Sequence, residues 1–115
     1  MTDSEDITVR TDTYDGGLVL QPIGDIDLSR APAFRRRLAD AQASGPSRLV
    51  VDLSEVPYMD SSGVATLIEA MQRARSGKQT LVIAAPQHRV KSIFEIARLD
   101  SVFTITDTVE SAKEV

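Results

Sequence analysis

"RLVVDLSEVPYMDSSGVATLIEAM", Arg48–Met71, carries the pattern that decides the fold. It opens on "RLVVDL", a nearly continuous apolar run of the kind found in strands covered on both faces. It closes on a run in which Val64, Leu67, Ile68 and Met71 fall at i, i+3, i+4 and i+7, the spacing of one helix face. Between them lies "MDSSG", two serines held between an aspartate and a glycine. Such serines serve as catalytic nucleophiles, as helix caps, or as places for a covalent mark.

Working outward, the same alternation of strand and helix signals continues. "ITVRTDTY" (Ile7–Tyr14) alternates and is rich in β-branched residues, so it reads as a strand. Asp15-Gly16-Gly17 reads as a hairpin turn, and "LVLQPIG" as the returning strand, with Pro22 marking a bulge or an edge. "DLSRAPAFRRRLADAQASGP" predicts a helix capped at Ser29 or its neighbours, with Pro32 in the first turn and Gly45-Pro46 as the stop. Phe34, Leu38 and Ala41 face its core side, and Arg35–Arg37 read as a solvated face. Gly77 ends the helix that follows the serines. "TLVIAA" is a second buried strand. Pro86 opens a third helix with Val90, Ile93, Phe94 and Ala97 as its stripe. "VFTI" reads as a last short strand and "TVESAKEV" as a terminal helix. The order β-β-α-β-α-β-α-β-α predicts a single α/β domain with a mixed sheet of four to five strands and about four helices, "RLVVDL" and "TLVIAA" at its centre. Residues 1–6 read as a disordered acidic terminus and 7–112 as the domain.

Composition narrows the function. The 115 residues carry a net charge of −4, which opposes binding to nucleic acid or an anionic membrane. There is no tryptophan for base stacking and no cysteine for a disulfide, a thiol nucleophile or a zinc-thiolate site. No apolar run approaches the ~18 residues of a membrane span. A soluble cytoplasmic protein is expected.

Catalytic motifs are missing. The single histidine, His88, sits at a helix entry among polar residues, and "DSSG" does not form a G-x-S-x-G elbow. No metal-ligand spacing, dinucleotide loop or Walker loop stands out. The expectation is a protein with no catalytic residue, no metal and no cofactor. For "DSSG" itself, capping by Asp60, Ser61 or Ser62 is worth about 1 kcal/mol. Gly63 calls for more, because glycine in a helix costs up to ~1 kcal/mol relative to alanine. Close approach by another backbone or by a partner would justify it. Extending the helical stripe backwards sets Ser62 on the face of Thr66, Glu69 and Arg73, which reads as wet, and so favours Ser62 as the accessible hydroxyl.

Three blocks in register resemble the STAS domains, the bacterial anti-sigma factor antagonists in particular. These are "PIGDIDLSRAPAFRRRL", "VVDLSEVPYMDSSGVATLIEA" and "HRVKSIFEIARLDSVFTITDTVESA". The resemblance implies a binding switch in place of an enzyme. An anti-sigma factor of the GHKL serine-kinase type phosphorylates the antagonist, a PP2C-type phosphatase reverses this, and the unphosphorylated form sequesters the anti-sigma factor and frees a sigma factor. Carried over, the phosphoacceptor is Ser61, with Ser62 as second choice, and the partner-binding set is Asp27, Met59, Asp60, Ser61, Ser62 and Gly63. "GDID" stands where the family often has G-E-L-D, which leaves the aspartate in place. Met59 and Tyr58 are expected either exposed beside the serines or packed in the loop. Alternative roles in the family are a scaffold in a stress-sensing complex and a cytosolic subunit of a lipid transporter. A nucleotide-binding module ranks last, for want of a phosphate-cradling loop.

Overall fold

The computed structural model describes residues 6–115, so the expectation of a disordered terminus falls outside the described residues except at Asp6. Five strands form one sheet in the order β1-β2-β3-β4-β5: Thr8–Tyr14, Gly17–Ile23, Arg48–Asp52, Thr80–Ala84 and Thr104–Thr106. β1 and β2 are antiparallel, and the other neighbours are parallel. The helices are α1 (Ala31–Ala43), α2 (Ser61–Ser76), α3 (His88–Ile96) and α4 (Val109–Lys113), with a 3₁₀ turn at Leu99–Ser101. The mixed sheet and its four helices are those expected from the pattern. The two apolar strands sit at or beside the middle because both of their faces are covered.

The main core lies on one face. Leu20, Leu49, Val51 and Ile83 meet Phe34 and Leu38 of α1, Leu67 and Met71 of α2, and Val90 and Phe94 of α3. The other face is smaller: Val19, Val50, Val82 and Ala84 are covered by Ala112 of α4, with Tyr14 and Val109 at its rim. Opposite-facing neighbours such as Val50 and Val51 therefore serve different cores, the period-two consequence of strand geometry.

Local details follow from chain chemistry. The hairpin closes on Tyr14↔Gly17 with Gly16 at φ +81°, a conformation that favours glycine. Gly17 leaves room for a neighbour: a Cβ there would lie 2.3 Å from the far end of the Tyr14 ring, which would have to swing away. Pro22 makes no bulge, because the β1–β2 register runs unbroken from Tyr14↔Gly17 to Thr8↔Ile23. It pairs across from Val9, and β3 stops pairing with β2 at Leu20. Its missing N–H thus lies beyond the end of β3, the local edge at which proline is accommodated.

Two expectations need correction. The α3 stripe stops short: the helix ends at Ile96, Ala97 is its exposed C-terminal cap, and Arg98 turns the chain at φ +60°. The last strand lies later than "VFTI". Phe103 precedes it as a core residue, packed edge-on against Phe94 with ring centroids 5.6 Å apart.

Candidate functional site

The serines sit where the β3–α2 connection meets the β2–α1 connection. The two loops are stitched by backbone hydrogen bonds: Gly24 N–H to Glu55 C=O at 2.9 Å, Ile26 N–H to Tyr58 C=O at 3.0 Å and Asp60 N–H to Ile26 C=O at 3.2 Å. Ile26 and Met59 form an isolated parallel bridge. This brings "GDIDLS" alongside "YMDSSG", so residues more than thirty positions apart share one surface.

Asp60 is the hub of that surface. As the N-cap of α2 it adopts an extended conformation, and one carboxylate oxygen accepts from the Ser62 amide (2.9 Å) and the Ser62 hydroxyl. Its other oxygen accepts from the Leu28 amide at 3.1 Å, across the loop junction. The Ser62 hydroxyl above all, joined by the Ser62, Gly63 and Leu28 amides, holds the Asp60 carboxyl below the usual carboxylate range against partial desolvation. Asp27 plays a related part in the turn that leads into α1. Its Oδ1 accepts from the Ser29 hydroxyl at 2.8 Å and from the Ser29 and Arg30 amides at 3.1 Å, and the Ser29 contact leads in lowering its pKa. Ser29 does not cap α1 as expected: Arg30 is the N-cap and no side chain caps the helix, while Asp27 holds the turn before it with Ser29 as donor.

The two serines differ sharply. Ser61 is the first residue of α2 and is exposed, and among the described residues nothing accepts from or donates to its hydroxyl. Ser62 is half-buried and committed to Asp60. The reading that put Ser62 on the open face is therefore reversed. Its premise fails at Thr66, which is fully buried with its hydroxyl satisfied by the Ser62 carbonyl at 2.8 Å. A threonine bonded back to i−4 passes as a core residue, which periodicity counted as wet.

Met59 and Gly63 also need correction. Met59 is 1% exposed, and Gly63 is buried directly above it. A Cβ on Gly63 would lie 2.6 Å from Met59 Cγ and 2.9 Å from Ile26 Cγ2. The close approach that the glycine permits is by these side chains from below. Met59 and Gly63 thus lie beneath this surface, and neither presents a side chain on it. The surface consists instead of Asp27, Ser61, the edge of Ser62, Leu28 at 75% exposure and Tyr58 at 42%. Leu28 went unnoticed in sequence. Its signal is an apolar residue between Asp27 and Ser29 in a loop, with its amide held by a distant carboxylate.

Among the described residues no cluster of histidine and carboxylates could hold a metal ion, and no helix is long and apolar enough to cross a membrane.

A hairpin leading into parallel βα units is the arrangement of a STAS domain, and in this chain an Asp-capped helix presents one free serine at the loop junction. The chain belongs to that family, whose model spans residues 8–112. It is similar to the anti-sigma-B factor antagonist of Listeria monocytogenes, at 33% identity over 82 residues, 71% of this chain and 72% of that protein. The crystal structure of an anti-sigma factor antagonist from Mycobacterium paratuberculosis superposes with a TM-score of 0.88 at 24% identity, covering 99% of this chain and 97% of that one. The Bacillus cell fate determinant SpoIIAA in its phosphorylated form gives a TM-score of 0.71 at 17% identity, covering 93% and 97%. The resemblance read from three sequence blocks is borne out.

Proposed function

We propose that this chain is a cytoplasmic, non-enzymatic anti-sigma factor antagonist whose partner surface is centred on Ser61, and that phosphorylation of Ser61 switches it off. The observation that carries this reading is the contrast between the serines: one hydroxyl is exposed and uncommitted at the first position of a sixteen-residue helix, the other is locked to the N-cap carboxylate. The similarity to a protein named as an anti-sigma-B factor antagonist supports the partner class, and the fold shared with a phosphorylated SpoIIAA supports the mark. The kinase is the anti-sigma factor itself, of the GHKL serine-kinase type, and a PP2C-type phosphatase resets the switch.

The physics favours a blocked interface over an unfolded protein. A phosphate adds about −1.5 to −2 charges. At the start of α2 the helix dipole favours that charge by ~0.3–1 kcal/mol, while Asp60 and Asp27 oppose it. These opposing contributions are similar in size, so the domain stays folded. The partner instead meets a doubly charged group beside the exposed Leu28 and Tyr58 side chains. Desolvating it there lowers affinity by about a hundredfold or more.

Intact-mass spectrometry of protein purified from its own host, with Ser61→Ala and Ser62→Ala alongside, tests the assignment. The expected result is a single phosphate adduct lost only in Ser61→Ala, with partner binding retained by that variant and lost in Ser61→Asp. An adduct that persists in Ser61→Ala would sink it.

A further inference from the structure

The sheet ends on β1, a seven-residue strand whose outer side pairs with nothing among the described residues. Its hydrogen-bonding parity follows from the hairpin. A two-residue turn closes on a hydrogen-bonded pair, here Tyr14↔Gly17, and pairing alternates from there. The main-chain groups of Thr8, Arg10, Asp12 and Tyr14 therefore point towards β2. Those of Val9, Thr11 and Thr13 point outward. Pro22 agrees with this parity: it stands opposite Val9, at a position that asks for no N–H towards β1. Thr11 and Thr13 are exposed and Val9 is half-buried, so the outward groups are accessible.

Natural edge strands are commonly guarded by charged side chains, lysine above all, or by proline, bulges or a covering element. This edge carries one charge of each sign, Arg10 and Asp12, both exposed and both on the sheet face covered by α4, beside Asp52 and Lys113. Neither joins an ion pair within the chain, among the described residues. Asp52, by contrast, is satisfied by Gln21 at 2.9 Å and by the Ser54 amide at 3.0 Å, so the hollow beside it calls for no ligand. The unmet charges lie at the edge.

We propose that β1 is a self-complementary docking edge for a second copy of this chain, joining two five-stranded sheets antiparallel about a two-fold axis through Thr11. Only an outward-facing residue can sit on that axis with mutual N–H to C=O bonds. Centring on Arg10 or Asp12 would set like charges opposite each other, which is destabilising. Centring on Thr11 pairs Arg10 with Asp12 of the other copy, twice. Both pairs then occupy non-hydrogen-bonded positions, where facing side chains are closest. Val9 faces Thr13, and Thr8 faces Tyr14. β5, the opposite edge, has three residues and no such pattern.

The contact is small, so association is weak and concentration-dependent. Sedimentation velocity of the full chain at low salt, up to roughly millimolar concentration, tests it. Arg10→Asp and Asp12→Arg alter exposed side chains, and circular dichroism verifies that both variants fold. Each reversal alone is expected to weaken dimerisation at least about tenfold. Mixing the two variants restores association as a heterodimer, because the wholly acidic edge of the first then faces the wholly basic edge of the second. A monomer at every concentration, a dimer indifferent to both reversals, or variants that fail to recombine would each overturn the proposal.

Discussion

Gly63 shows how one missing methyl group shapes the surface around Ser61. The residue lies two positions inside α2, where alanine is favoured by up to ~1 kcal/mol. A Cβ there would nevertheless press 2.6 Å from Met59 Cγ, close to the backbone and not at a flexible tip. Overpacking of this kind costs about 1–3 kcal/mol, so Gly63→Ala is expected to destabilise the fold by about 1–2 kcal/mol net. Urea denaturation checks this. Met59→Ala in the same chain removes the closest contact and leaves Ile26 Cγ2 at 2.9 Å, so the double variant should lose less than the sum of the single losses. The glycine was visible in the sequence as an anomaly that asked for a close neighbour. Which neighbour it was could not be read there, because Met59 and Ile26 come to lie beneath it only through pairing between two distant loops.

At the scale of elements, the starts of α1 and α2 are each organised by one aspartate, and both carboxyls are held below the usual carboxylate range, led by a serine hydroxyl in each case. A depressed folded-state pKa contributes stability that is fully present above the unfolded value of about 4. It is lost as pH falls through the lower, folded value. Replacing Asp60 with asparagine keeps an acceptor for the Ser62 amide but removes the titration. Asp60→Asn is therefore expected to be less stable than the parent at neutral pH and to lose less on acidification. Urea midpoints between neutral pH and about pH 3 measure both. An acid limb as steep as the parent's would show that Asp60 does not contribute to it. The helices themselves were legible from their apolar spacing. The turn before α1 is not legible in the same way, because Asp27 precedes the helix by several positions and works through the Ser29 hydroxyl and the Ser29 and Arg30 amides. The apolar stripe of the third helix runs one residue past its end at Ile96, since Arg98 at φ +60° is a turn signal that its residue type does not announce.

Over the whole molecule, the sheet has a thick side and a thin one. Three helices cover the first, whereas on the second one five-residue helix, α4, covers Val19, Val50, Val82 and Ala84. Such a helix has little stability of its own and stays in place by burying its apolar residues. Ala112 is fully buried beneath it, and Arg48 holds the same segment by donating to the Lys113 and Val115 carbonyls. Ala112→Asp places a carboxylate against valines and is expected to cost at least about 3 kcal/mol. Ala65→Asp, on an exposed turn of α2, should stay within about 0.5 kcal/mol. Thermal denaturation of the two variants compares them, and equal melting temperatures would mean that α4 does not seal this face.

The sequence by itself determined the class of the fold, the order of its elements, the central place of the two apolar strands and the family, because hydrophobic periodicity and turn chemistry are local properties of the chain. Tertiary structure alone decided which serine is free, that Met59 is floor and not surface, and that Leu28 stands beside the site. The first is settled at the N-cap, where the Asp60 carboxylate takes the Ser62 hydroxyl, and the other two depend on that carboxylate's bond to Leu28 and on the Ile26–Met59 bridge, which join loops far apart in the chain. No local period encodes such a contact.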